Sequence, residues 1–159
     1  MFTPGGWPPN FSRAELLRSE RATNLGVPNE PTPEHEADLR AIAWHVLQPL
    51  RVGLGGPIKV TSGYRSPALN AATPGSSKTS QHSLGQAADL VPGLGATFST
   101  RAIFDYIRAN LPFDQLIWEY GTAKVPQWVH VSFRADHRRE QILRTTGTPQ
   151  KPTYAPWKA

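Results

Sequence analysis

Five residues spread along the chain carry side chains that could act together: Arg65, His82, Asp89, Glu119 and His130. In QHSLGQAADL, residues 81–90, His82 and Asp89 stand seven positions apart, with Gly85, Ala87 and Ala88 between them. Gly85 permits a tight turn and the alanines permit close packing, so the two side chains could face one point from two sides of a bend. In QWVHVSF, residues 127–133, strand alternation places Trp128, His130 and Ser132 on one face and Val129 and Val131 on the other. Two histidines and one carboxylate are a common three-ligand set for catalytic zinc, the fourth position being left to water. Taken singly, a surface histidine and a strand-end aspartate are the plainer reading. Glu119 ends the run DQLIWE, where a general base could take a proton from an attacking water. Arg65, in SGYRSP, has forked donors that match an oxyanion or a carboxylate. The 159 residues include no cysteine, so thiolate sites and disulfides are excluded and any metal must sit among nitrogen and oxygen ligands.

The remaining candidates read as structural. His35 and His45 lie ten residues apart on one helix, on different turns, and cannot chelate together. His137 sits in the basic run RADHRRE and reads as solvated. Trp7, Trp44 and Trp157 are expected to pack on the core, whereas Trp118 and Trp128 are expected to flank the site and line a substrate groove.

Positioning five such residues requires a particular scaffold. Ser12 opens SRAE, a capping box, and predicts a short helix through about Arg21. Thr32 and Pro33 read as an N-cap and first helical residue. Leu39, Ile42, Ala43, Val46, Leu47 and Leu50 then recur at helical spacing, predicting a long amphipathic helix that VGLGGP ends. Strands are predicted at IKVTS (58–62), GQAADLV, DQLIWE and QWVHVSF, and at EQILR (140–144); Ser99 or Thr100 caps a helix carrying Ile103, Ile107 and Leu111. Helices early and strands late predict one α+β domain over 1–159 with a mostly antiparallel sheet. Its core should span about 10–145, and the Thr- and Pro-rich segment 146–159 should be a loosely ordered tail.

Composition narrows the partners. A net charge of +5 suits a polyanion such as nucleic acid, an acidic wall polymer or anionic lipid. The basic residues are scattered, however, which argues against nucleic acid. No run of about 18 apolar residues could span a membrane. MFTPGGWPPNFS lacks a charged leader followed by an apolar stretch, so no signal peptide is expected.

Together, SGYRSPALN, SQHSLGQAADL, DQLIWE and WVHVSF resemble the zinc D-Ala-D-Ala carboxypeptidase family of peptidoglycan peptidases. That family includes vancomycin-resistance dipeptidases and phage endolysins, and shares its fold with the Hedgehog signalling domain. The pattern S-x-H followed by G-x-A-x-D is met by Ser80, His82, Gly85, Ala87 and Asp89. The resemblance covers roughly residues 10–145 and implies one zinc ion per chain, held by His82, Asp89 and His130. It implies that Arg65 steadies the substrate near the scissile carbonyl and that Ser80 lies close to the bound peptide. Many members place the catalytic glutamate three residues before the last histidine, where this chain has Gln127. Others place it at the end of the preceding strand, as Glu119 is placed, and on that pattern Glu119 is the base.

The implied activity is hydrolysis of a peptide bond in peptidoglycan stem peptides or cross-links, as a carboxypeptidase or an endopeptidase. A monomer acting at the cell wall or periplasm is expected. The lack of a signal peptide fits a phage lysin released by a holin, or export by another route. The alternative is a module of the same fold that binds zinc or the cell wall without catalysis, which need not retain both Glu119 and Arg65. A divalent ion other than zinc would also fit the nitrogen and oxygen ligands.

Overall fold

The structure, a computed structural model, describes residues 1–159. Six strands form one sheet in the order β1-β2-β4-β3-β5-β6: β1 Ile58–Ser62, β2 Ala87–Pro92, β3 Gln115–Glu119, β4 Trp128–Ser132, β5 Gln141–Thr148 and β6 Lys151–Pro156. Every neighbouring pair is antiparallel except β3 with β5. The core residues of the longer helices pack against one face of this sheet, giving the expected α+β architecture.

The N-terminal helices depart from the expectation at one point. Instead of one helix from Ser12 to about Arg21, there are two, α1 Arg13–Leu17 and α2 Glu20–Leu25. Arg18 is extended and Ser19 caps the second helix by accepting from the Ala22 amide, so a second cap interrupts the run the first one opened. The long amphipathic helix is present as α3 Pro33–Ile42 and α4 Gln48–Leu54, joined by a π-helical segment at Ala43–Leu47. Pro49 has no N–H for the carbonyl of His45, and the widened turn just before it absorbs that mismatch. Thr32 caps α3 as expected, and Ser99 caps α6, Thr100–Asn110. A short helix α5, Pro67–Ala71, follows β1.

Period-two alternation sorts the strand residues into two faces. Leu39, Leu47, Leu50, Phe104 and Ile107 from the helices meet Ala88, Leu90, Leu116, Trp118, Val129 and Val131 from the sheet. The opposite face carries Asp89, Ile117, Glu119 and His130, which line a cleft of about 680 Å³. Trp118 therefore does not flank the site. It is 1% exposed on the core face, with its ring centroid 5.2 Å from Phe104 and 6.4 Å from Trp157, because its neighbour Glu119 takes the other side of the strand.

The C-terminal segment is also ordered differently from expectation. Rather than a loose tail after residue 145, β5 runs on to Thr148, turns through Pro149 and Gln150, and returns as β6 in register with it. Thr-rich alternation on both sides of a two-residue turn outweighs the prolines, which fall on an edge strand where no ladder donor is missed.

Candidate active site

The bend in QHSLGQAADL is built by a short 3-10 turn, Gln81–Leu84, that stops at Gly85 in the left-handed region (φ 72°). A side chain at residue 85 would collide with the backbone carbonyl of His35 on α3. Only glycine both turns the chain and lets the helix close over it. Ser80 caps this turn, its hydroxyl accepting from the His82 amide at 3.3 Å. Beyond Gly85 the chain enters β2, where Ala87 and Ala88 are fully buried and Asp89 faces the cleft. Asp89 stands opposite His130 across the β2–β4 pairing.

His82, Asp89 and His130 converge, with one ligand atom from each lying within 4.8 Å of the others. Asp89 Oδ1 is 3.3 Å from His82 Nε2 and 3.1 Å from His130 Nδ1. Ligands about 2.0–2.1 Å from a tetrahedral zinc stand roughly 3.3 Å apart, so these spacings match a metal's ligand shell. His82 Nδ1 lies 2.7 Å from the Gly63 carbonyl, an acceptor only, so Nδ1 carries the proton and Nε2 keeps its lone pair. That Nε2 is buried and has no hydrogen-bond partner. A ring nitrogen fixed from behind by a backbone carbonyl is the usual setting of a metal-bound histidine.

The charge states agree with this role. Burial holds the His82 imidazole below its ordinary pKa and so neutral, although the Asp89 carboxylate pulls the other way. Burial alone would raise Asp89, but the imidazoles of His82 and His130 more than offset it and hold the carboxyl below the usual range. A neutral imidazole and an ionised carboxylate are the ligand forms a cation requires.

Glu119 lies on the same face, one row along the sheet, paired with Trp128 in β4 and Thr145 in β5. It is 7% exposed and lines the cleft. Burial pushes its carboxyl up to about 7, opposed by the His130 ring and reinforced by the Asp89 charge. The next residue, Tyr120, has φ 52°, a strained conformation for a bulky side chain that turns the chain sharply at the cleft's rim. Gln127, by contrast, is exposed and absent from the cleft lining. Arg65 and Ser80 both line the cleft, as does Trp128, which packs against Tyr120 with ring centroids 5.1 Å apart. Arg65 Nε is buried without a partner, near Asp89, whose charge acts on the guanidinium. His35, His45 and His137 lie outside the cleft; His45 instead contacts Thr3 Oγ1 at 2.8 Å.

Two supporting groups were not legible beforehand. Asp114, with no exposed surface, accepts from the Arg139 amide at 2.8 Å, the Arg139 guanidinium at 2.7 Å and Gln81 Nε2 at 2.9 Å. It ties the turn that carries His82 to the start of β3. Burial would raise this carboxyl, but the Arg139 hydrogen bonds hold it below the ordinary value of 3.8. Its contribution to stability is therefore present above that value and lost as pH falls through the lower folded one. Asp114→Ala is expected to lower stability by about 3 kcal/mol at pH 7, read from the urea midpoint, and to weaken metal binding roughly tenfold by loosening the Gln81–His82 turn. The second group is Tyr154, which reaches the cleft from β6. The alternation Pro152, Tyr154, Pro156 was the signal for it, masked by the proline content of the segment.

A protein-family model described as Peptidase M15 matches residues 9–132. No curated protein matches the chain.

Proposed function

The chain belongs to the zinc D-Ala-D-Ala carboxypeptidase family, peptidase M15, and from that membership we propose that it is a zinc-dependent hydrolase of peptide bonds in peptidoglycan stem peptides or cross-links. The observation that carries this reading is the convergence of His82, Asp89 and His130 on the cleft face of the sheet, one row from a buried glutamate. The basic balance of the protein suits an anionic wall substrate. No helix is long and apolar enough to cross a membrane.

In this reading His82, Asp89 and His130 are the ligands. A zinc ion held there would supply Lewis acidity to the scissile carbonyl and to the attacking water. Glu119 takes a proton from that water as it adds to the carbonyl carbon, then returns it to the departing nitrogen as the C–N bond breaks. Arg65 donates to the carbonyl oxygen as negative charge builds on it, an interaction that strengthens towards the transition state. Ser80 holds the His82 turn through its cap and leaves its hydroxyl at the cleft wall. Trp128 gives the bound peptide an apolar surface.

Purified peptidoglycan incubated with the protein should release amines, and prior treatment with a metal chelator should abolish the release until zinc is restored. Free D-Ala as product identifies a carboxypeptidase, and new internal N-termini identify an endopeptidase. Amine release unaffected by the chelator would contradict the metal-dependent reading. Zinc binding without any release would make the protein a binding module.

A further inference from the structure

The family match ends at residue 132, before β5 and β6, yet the hairpin they form supplies one wall of the cleft. Leu143, Pro149, Pro152 and Tyr154 all line it. Register carries Tyr154 to the site: Glu119 pairs with Thr145, and Thr145 pairs with Tyr154, so the three share one row and one face. The opposite wall is the loop of residues 73–80, which leads into the His82 turn.

The two walls touch. Gly75 (φ 71°) lies so close to the hairpin tip that a Cβ there would overlap the Pro149 carbonyl oxygen. Thr148 Oγ1 accepts from the Lys151 amide at 3.2 Å and fixes the shape of that tip. The tip of the hairpin is thus packed against the opposite wall, and Tyr154 faces the cleft from the strand behind that tip.

Resting on the peptidase reading above, we propose that the β5–β6 hairpin is a substrate-binding strap, and that Tyr154 donates a hydrogen bond from its hydroxyl to a carbonyl or carboxylate oxygen of the bound peptide. The side chain is half-exposed, as a group awaiting a ligand should be. Its hydroxyl has no hydrogen-bond partner within the protein, and burial together with the Glu119, Tyr120 and Asp89 side chains keeps it protonated to about 12. Across the cleft the Arg65 side chain, part of the cleft lining, offers a second donor, so an oxygen-rich peptide end can be held from both sides.

The test uses zinc-loaded wild type and Tyr154→Phe, which removes one oxygen from an exposed position and leaves the ring's packing intact. Binding of a synthetic stem pentapeptide ending in D-Ala-D-Ala is measured by calorimetry, and kcat/KM for its cleavage is measured separately. Loss of the hydroxyl is expected to weaken binding and lower kcat/KM by roughly five- to tenfold. Equal dissociation constants and equal kcat/KM for the two proteins would overturn the proposal and leave the peptidase reading standing. Wild-type binding without cleavage would overturn only the carboxypeptidase form of the peptidase reading, and a weaker Tyr154→Phe complex would still support the strap. A wild type that does not bind the peptide would overturn the strap and the carboxypeptidase form together, and leave an endopeptidase to the peptidoglycan assay above.

Discussion

Glu119→Gln is expected to retain a full equivalent of zinc and to lose about a thousandfold in kcat, the contribution of a well-placed general base. The side chain lies beside the ligand cluster without belonging to it, so metal content and turnover should separate cleanly in this variant. Near wild-type turnover would remove Glu119 from the mechanism. The wild type carries a related signature. Its carboxyl titrates at about 7, so the ionised form that can accept a proton declines below that value. A zinc ion held by the neighbouring cluster would draw that value down, so turnover should fall about tenfold for each pH unit once the pH drops below the carboxyl's lowered value in the zinc-loaded protein. The same burial has a thermodynamic counterpart of the opposite sense. The folded protein keeps a proton that the unfolded chain releases near 4.5, so ionised Glu119 destabilises the fold progressively from pH 4.5 to 7 and by a constant amount above. Metal-free Glu119→Gln should therefore be more stable than metal-free wild type by about 3 kcal/mol at pH 8, and indistinguishable from it at pH 4. Urea titrations at those two values measure the difference.

His82→Ala should abolish stoichiometric zinc binding, and activity with it. His82 is 1% exposed, is held from behind by the Gly63 carbonyl, and is the most deeply buried of the three. Its removal leaves a void where the buried ring stood, beside Asp89. Even the metal-free variant is therefore expected to lose about 3 kcal/mol of stability from the cavity. Elemental analysis after dialysis against zinc reads the first effect, and thermal unfolding in chelator reads the second. One bound equivalent of zinc in the variant would show that His82 is not a ligand.

Much of this site could be read from the chain because its parts are written locally. The turn at Gly85, the alternation that separates His130 from Val129 and Val131, and the helical spacing from Leu39 to Leu50 each depend on neighbours within a few residues. What depended on distant partners was harder. Trp118 and Glu119 are adjacent, and only the packing of Phe104 and Trp157 against one face of β3 decides which of them enters the cleft. Asp114 gains its role from Arg139 and Gln81, 25 and 33 residues away in the chain. The terminal hairpin was hidden by composition: Thr, Pro and Gly favour irregular chain in isolation, and it is the pairing of β5 with β3 that makes a strand of this segment. The second helix cap at Ser19 was visible in principle, since serine before Glu20 is a start signal of its own.

The pairing of Asp89 with His130 has a consequence for when the site can exist during folding. His82 and Asp89 belong to one short stretch, but His130 is 41 residues beyond Asp89 and reaches it only when β4 docks on β2. If the three residues hold zinc as proposed, a chain that has collapsed without that docking offers two ligands and no cage, and metal affinity belongs to the chain with β4 docked on β2. Metal in solution then acts as a reporter of the native state. Each tenfold rise in free zinc above the dissociation constant should deepen the native well by about 1.4 kcal/mol, without touching any of the partly ordered forms that precede it.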